Sequence, residues 1–74
     1  MRIKAVIHSD PDILGGTPVF VGTRVPFQAL MDYLEAGHPV SDFLKDFPTV
    51  TRKQALTALE QAKEALLSDA RLAR

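Results

Sequence analysis

The chain has 74 residues, no cysteine, and nine acidic and nine basic residues, so its formal net charge is zero. This length suffices for one domain, and a domain this small buries only about 60% of the surface that its unfolded chain exposes. Because disulfides and thiolate metal sites are excluded, we expect a second polypeptide to add stability and predict a homodimer or an obligate partner. Zero net charge argues against strongly electrostatic nucleic-acid binding but permits a local basic patch.

The distribution of apolar residues predicts a cytoplasmic protein. No apolar run approaches the roughly 20 residues that a membrane-spanning helix needs. The segment MRIKAVIHSD also lacks the apolar region and the cleavage site of a signal peptide.

Residues 1–25 are predicted to form a strand and a short β-hairpin arm. Residues 3–7 alternate weakly between polar and apolar side chains, which indicates a short strand. Pro18–Val21 and Arg24–Pro26 indicate two more β segments joined at Gly22. A hairpin of this size is marginal in water, so it is expected to pack on the helices or on a partner. The side chains expected to pack inward are Val19, Val21 and Val25.

Residues 26–74 are predicted to form three helices, the first from Pro26 to Ala36. Proline suits the first turn, where its missing N–H group costs nothing, and Gly37 follows where a left-handed C-terminal cap is wanted. Residues three and four positions apart give this helix one apolar stripe. The stripe consists of Phe27, Leu30, Met31 and Leu34.

The second helix is predicted over Asp42–Asp46. Ser41 precedes it as a favourable N-cap residue, and Pro48 stops it. Its apolar side chains are expected to face the core, and they are Phe43, Leu44 and Phe47.

The third helix is expected to start after Thr51, because Thr51 followed by Gln54 is a capping box. It should run about 18–20 residues, or roughly 27–30 Å. Its apolar face is predicted to contain Ala55, Leu56, Leu59, Ala62, Lys63 and Leu66. The first two helices are too short to cover its end, so that end is predicted to bind a partner, the alternative being a frayed terminus. The candidate partner-binding residues there are Leu66, Leu67 and Ala70.

A short helix, a tight turn and a capped longer helix form the helix-turn-helix arrangement, in which the start of the second helix enters the major groove. The candidate DNA-binding residues are therefore Arg52, Lys53, Gln54 and Thr57. Arg52 and Lys53 lie in the first turn of the helix, where the helix dipole disfavours cations by a few tenths of a kcal/mol. Their presence against this preference indicates a functional role. The alternative is that both are solvated surface residues, and Glu60 and Glu64 would repel phosphate.

Other chemistries have weaker signals. The segment GGTPVFVGTRVP lacks the Gly-Lys-Ser/Thr ending of a phosphate-binding loop. Its Arg24 is either structural or a contact to an acidic partner, so we include Arg24 among the candidate partner-binding residues. His8, Asp10 and Asp12 have the spacing of metal ligands but suit a loop equally well. No serine lies near a plausible base, and we expect no catalytic site, no metal and no cofactor.

The segment from Asp10 to Leu59 resembles the bacterial DUF433 family, a family defined by a domain of unknown function. The family signature is Gly-x-Pro-x-Ile-x-Gly-Thr-Arg-Ile-Pro, followed by a helix ending in Gly, a short helix ending in Tyr-Pro, and a capped helix. The matching positions are Gly16, Pro18, Gly22, Thr23, Arg24, Pro26, Gly37 and Pro48. Phe20 and Val25 stand where the family has isoleucine, and Phe47 replaces its tyrosine.

This resemblance implies a mainly helical, homeodomain-like helix-turn-helix fold with a short N-terminal β-hairpin. It also implies an antitoxin of a toxin–antitoxin pair, similar to VapB-type antitoxins, with a PIN-like ribonuclease from the adjacent gene as partner and autoregulation through operator DNA. The family motif does not fix the DNA-contacting residues, so their assignment rests on helix-turn-helix geometry. The alternative function is a protein-interaction module that does not bind DNA.

Overall fold

The computed structural model of the chain describes residues 5–72, which form three α-helices and a two-stranded antiparallel sheet. In chain order the elements are β1 (Ile7–His8), a 3-10 turn (Leu14–Gly16), β2 (Val19–Phe20), α1 (Phe27–Glu35), α2 (Val40–Asp46) and α3 (Arg52–Leu72). The predicted fold class, three helices preceded by a short β-hairpin, is confirmed.

The sheet is shorter than the sequence predicts. Ile7 of β1 pairs with Phe20 of β2, and His8 pairs with Val19. The strand predicted over residues 3–7 is wrong in its extent, because Ala5 and Val6 lie outside β1, while residues 3 and 4 lie outside the described residues. β2 limits the ladder, since it is bounded by a proline, which has no N–H group to donate, and by the turn at Gly22.

The predicted hairpin between residues 18–21 and 24–26 is present as one β-bridge, from Val19 to Pro26. Its turn is closed by Thr23, whose backbone N–H and hydroxyl both donate to the Phe20 carbonyl at 3.0 and 2.9 Å. Gly22 occupies the left-handed region at φ 82°, which favours glycine. Val19 is buried and Val25 half-buried, but the turn leaves Val21 39% exposed, so the inward packing predicted for Val21 is wrong.

Helix α1 has the predicted stripe and the predicted C-terminal cap. Gly37 has φ 91°, and its N–H donates to the Leu34 carbonyl at 3.0 Å, while the His38 N–H donates to the Tyr33 carbonyl at 2.9 Å. These two bonds form a Schellman motif, which satisfies carbonyls that the helix end leaves free. In the stripe Leu30 is fully buried, and the half-buried members packed on the core are Phe27, Met31 and Leu34.

Helix α2 begins two residues earlier than predicted, and the assignment of Ser41 as its N-cap is wrong. Pro39 is the N-cap, in an extended conformation, and its carbonyl accepts the Asp42 N–H at 3.0 Å. Val40 packs against the core from the first helical position, which leaves Ser41 exposed within the first turn. Phe43 is buried as predicted, and Leu44 and Phe47 are half-buried beside it.

Helix α3 has the predicted capping box and is 21 residues long. The Gln54 N–H donates to the Thr51 hydroxyl and the Thr51 N–H donates to the Gln54 side chain, both at 3.0 Å. Its apolar face is rotated from the prediction: Ala55 and Ala58 are buried, whereas Leu56 is 48% exposed. Because α3 packs on the core through Ala55 and Ala58, Leu56 faces solvent.

No helix within residues 5–72 is long and apolar enough to cross a membrane.

The buried core joins the hairpin to all three helices. Its members are Phe20, Leu30, Phe43, Val50, Ala55 and Ala58. The ring of Phe20 lies 6.1 Å from that of Phe27 and 6.0 Å from that of Phe43, so residues from the strand and two helices meet at one point.

Replacing this central ring should strongly destabilise the domain. Truncating a buried phenylalanine costs about 3–5 kcal/mol, whereas a chain of this length has a free energy of unfolding of only about 4–11 kcal/mol. We expect Phe20→Ala to be largely or partly unfolded in urea titrations followed by circular dichroism. Leu56→Ala, at an exposed helical position, is the control and should cost less than about 1 kcal/mol. Equal losses in the two variants would contradict the described core.

Candidate nucleic-acid and partner interfaces

The helix-turn-helix segment presents the start of α3 to solvent. Helix α2 ends at Asp46, and the turn that follows is anchored by the buried side chain of Val50. The Val50 N–H donates to the Phe47 carbonyl at 3.1 Å, which closes the turn before the capping box. This anchoring fixes where the first turn of α3 lies.

Arg52 and Lys53 in that first turn are both exposed. Within residues 5–72 neither side chain takes part in an ion pair or hydrogen bond; the charged contacts there are the Lys63–Glu60 ion pair and the contact of the His38 ring with the Asp42 carboxylate. The two side chains are therefore available to an external anion.

Gln54 and Thr57, the other two candidate DNA-binding residues, are half-buried. The Gln54 side chain accepts the Thr51 N–H through Oε1 and donates through Nε2 to the Val21 carbonyl at 3.0 Å. Oε1 also accepts the Thr51 hydroxyl at 3.4 Å. An amide group has two N–H donors and two acceptor lone pairs, so both lone pairs are used and one N–H donor stays available. Gln54 thus connects the first turn of α3 to the hairpin turn.

This bond also places Arg24. Arg24 is exposed on the turn that follows Val21, and the Gln54–Val21 bond holds that turn beside the start of α3. Nothing in the sequence indicates this contact, because its two residues are 33 positions apart.

The C-terminal half of α3 extends beyond the core. All nine residues from Lys63 to Arg71 are exposed although the helix continues to Leu72. The candidate partner-binding residues of this segment, Leu66, Leu67 and Ala70, are all exposed, Leu66 by 70% and Leu67 by 43%. We call residues 63–71 the α3 tail.

An acidic groove of about 570 Å³, which no pattern in the sequence indicates, lies where α1 ends beside α2. The polar side chains that line the groove are Asp32, Tyr33, His38, Asp42, Lys45 and Asp46. The Tyr33 hydroxyl donates to the Asp46 carboxylate at 2.5 Å, and His38 pairs with Asp42 at 3.5 Å. The hydrogen bond to Asp46, followed by desolvation, raises the pKa of Tyr33.

Of the three residues with the spacing of metal ligands, His8, Asp10 and Asp12, the two aspartates form a local contact within a loop. The Asp10 carboxylate accepts the Asp12 N–H at 2.9 Å, as in a side-chain-closed turn. Within residues 5–72 no group of three or more His, Asp or Glu side chains is placed to share a metal ion.

The raised pKa of Tyr33 can be measured directly, since the chain has one tyrosine and no tryptophan. The ultraviolet absorbance of tyrosinate should rise with a midpoint above the ordinary tyrosine pKa of about 10. The neutral phenol is the form that the hydrogen bond stabilises, so this stabilisation is complete below the ordinary pKa and is lost as the pH rises through the raised one. Asp46→Asn should bring the midpoint back towards the ordinary value, whereas Asp10→Asn should not; an unchanged midpoint in Asp46→Asn would contradict the contact.

Comparisons with known proteins agree with this fold. The sequence matches the family described as "Protein of unknown function (DUF433)" over residues 7–62. The crystal structure of a DUF433 member protein from Anabaena variabilis superposes with a TM-score of 0.68 at 24% identity, covering 93% of this chain and 69% of that one. The uncharacterized protein y4eO of Sinorhizobium fredii is 45% identical over 47 residues, which are 64% of this chain and 21% of that protein. The chain therefore belongs to the DUF433 family.

Proposed function

We propose that this chain is an antitoxin-like binding protein that holds a partner protein on its α3 tail. The proposed partner is a PIN-like ribonuclease from the adjacent gene, as the resemblance to VapB-type antitoxins implies. The observation that carries the proposal is the run of nine exposed residues in the helical α3 tail, with Leu66 70% exposed.

The α3 tail has the chemistry of a helix that binds in a groove. Ala70 is four positions from Leu66 and three positions from Leu67. These spacings place all three side chains on one side of the helix. A helical segment of this length without packing is marginal in water, and a partner that covers it would supply the missing contacts. Full burial of an exposed leucine contributes roughly 1.5–3 kcal/mol, and Leu66 and Leu67 would each gain the part of it that matches their present exposure. The proposed action is therefore binding rather than catalysis.

Two charges in the α3 tail should abolish partner binding without unfolding the chain. We expect Leu66→Glu combined with Leu67→Glu to lose copurification with the adjacent gene product and to lose protection against its toxicity. Circular dichroism should show an intact fold, because both positions are exposed. Leu56→Glu is the matched control, since Leu56 lies on the same helix with similar exposure but outside the α3 tail.

Two results would contradict this function. Undiminished copurification of the doubly substituted chain would remove the α3 tail as the binding surface. An adjacent gene product that is harmless when expressed alone would remove the antitoxin role.

A second function, DNA binding at the operator, is favoured by the free cations Arg52 and Lys53 at the solvent-exposed start of α3. Arginine and lysine contact guanine and phosphate, and the helix-turn-helix arrangement places such residues in the major groove. A homodimer would present two copies of this helix start, spaced about one DNA turn, roughly 34 Å, apart.

Replacing Arg52 and Lys53 together by Ala should weaken binding to DNA upstream of the protein's own gene in a gel-shift assay. Lys45→Ala is the control, because Lys45 lies at the acidic groove and should leave binding unchanged. If the wild-type chain, alone and with its partner, shows no salt-sensitive binding, DNA binding is contradicted and a protein-interaction module remains.

A further inference from the structure

Charge is segregated along this neutral chain. Residues 13–31 and 47–59 contain three cations, Arg24, Arg52 and Lys53, and no aspartate or glutamate. All nine acidic residues lie outside these two segments. The zero net charge therefore results from regions of opposite sign.

The fold joins the two cationic segments. The Gln54 side chain donates to the Val21 carbonyl at 3.0 Å, and Phe20 and Ala55, one residue away on each segment, belong to the same buried cluster. Arg24 lies in the turn closed by Thr23, whose hydroxyl accepts the Val25 N–H at 3.0 Å. Since Gln54 bonds to Val21 in the same turn, Arg24 lies on a turn that is held beside the first turn of α3.

The three cations are free to bind an anion. Arg24, Arg52 and Lys53 are exposed, and none forms an ion pair with any residue of the described part of the chain. The carboxylates of Asp32, Asp42 and Asp46 instead line the groove beside the end of α1, together with Lys45.

We propose that Arg24, Arg52 and Lys53 form one phosphate-binding surface for duplex DNA. This inference rests on the second function proposed above and assigns Arg24 to the DNA backbone rather than to an acidic partner. Phosphate contacts made from outside the recognition helix fix the register of a protein on the duplex. The duplex is DNA rather than RNA because the A-form major groove is too deep and narrow for a helix to enter.

The dependence of DNA affinity on salt concentration measures how many phosphates a protein neutralises. The logarithm of the binding constant falls with the logarithm of the salt concentration by about 0.9 for each phosphate contact. We would measure the anisotropy of a fluorescent mixed-sequence duplex of about 30 base pairs at about 50–200 mM KCl, because these contacts are independent of sequence.

Arg24→Ala and Arg52→Ala should each reduce the steepness of the salt dependence by about 0.9. Between about 50 and 200 mM KCl the binding constant of each variant should therefore fall by a factor about 3.5 times smaller than that of the wild type. Arg24→Lys, which keeps the charge, should restore the slope. Lys45→Ala, with its charge at the acidic groove, should retain the wild-type slope. Circular dichroism would verify that each variant is folded.

Other outcomes would overturn either this inference alone, DNA binding as a whole, or the choice of DNA over RNA. A wild-type slope in Arg24→Ala together with a reduced slope in Arg52→Ala overturns this inference but leaves DNA binding by α3. No salt-dependent binding of the wild-type chain overturns both. Tighter binding to an RNA duplex of the same length overturns the assignment to DNA.

Discussion

Burial of Phe20 where the hairpin meets the helices is the interaction on which the rest of the structure depends. The two-residue strand that carries Phe20 cannot be stable alone, since isolated hairpins are marginal in water. Its ring packs against Phe27 of α1 and Phe43 of α2, and the same cluster includes Ala55 of α3. The hairpin and the helices therefore stabilise each other, and neither is expected to persist without the other.

The same contact decides which surfaces are available for binding. Because Phe20 is fixed in the core, the turn that follows it is held against α3, where Gln54 bonds to Val21. The core reaches only the first half of α3, through Ala55 and Ala58. Beyond this half, every residue of the α3 tail is exposed in the part of the chain that the structure describes. One packed cluster thus lies between the exposed cations at the start of α3 and the exposed leucines of the α3 tail.

The charge of this protein illustrates why net values are weak arguments about binding. A sum of zero suggests a poor ligand for nucleic acid, but electrostatic attraction depends on the local potential, which decays over about 10 Å in ordinary salt. Here Arg24, Arg52 and Lys53 belong to segments without carboxylates, while the groove beside α1 collects three aspartates. The relevant quantity is where the charges lie.

The sequence by itself determined the features that depend on residues a few positions apart. The Thr51–Gln54 capping box, the left-handed Gly37 cap and the stripe around Leu30 follow from local hydrogen bonds and helical periodicity, and all three are present. Only the tertiary structure decided that α2 starts at Val40 and not after Ser41, and that Leu56 faces solvent. It also decided that Gln54 meets Val21 across 33 positions. These outcomes depend on which side of each helix the core covers, and that follows from the packing of the whole chain rather than from neighbouring residues.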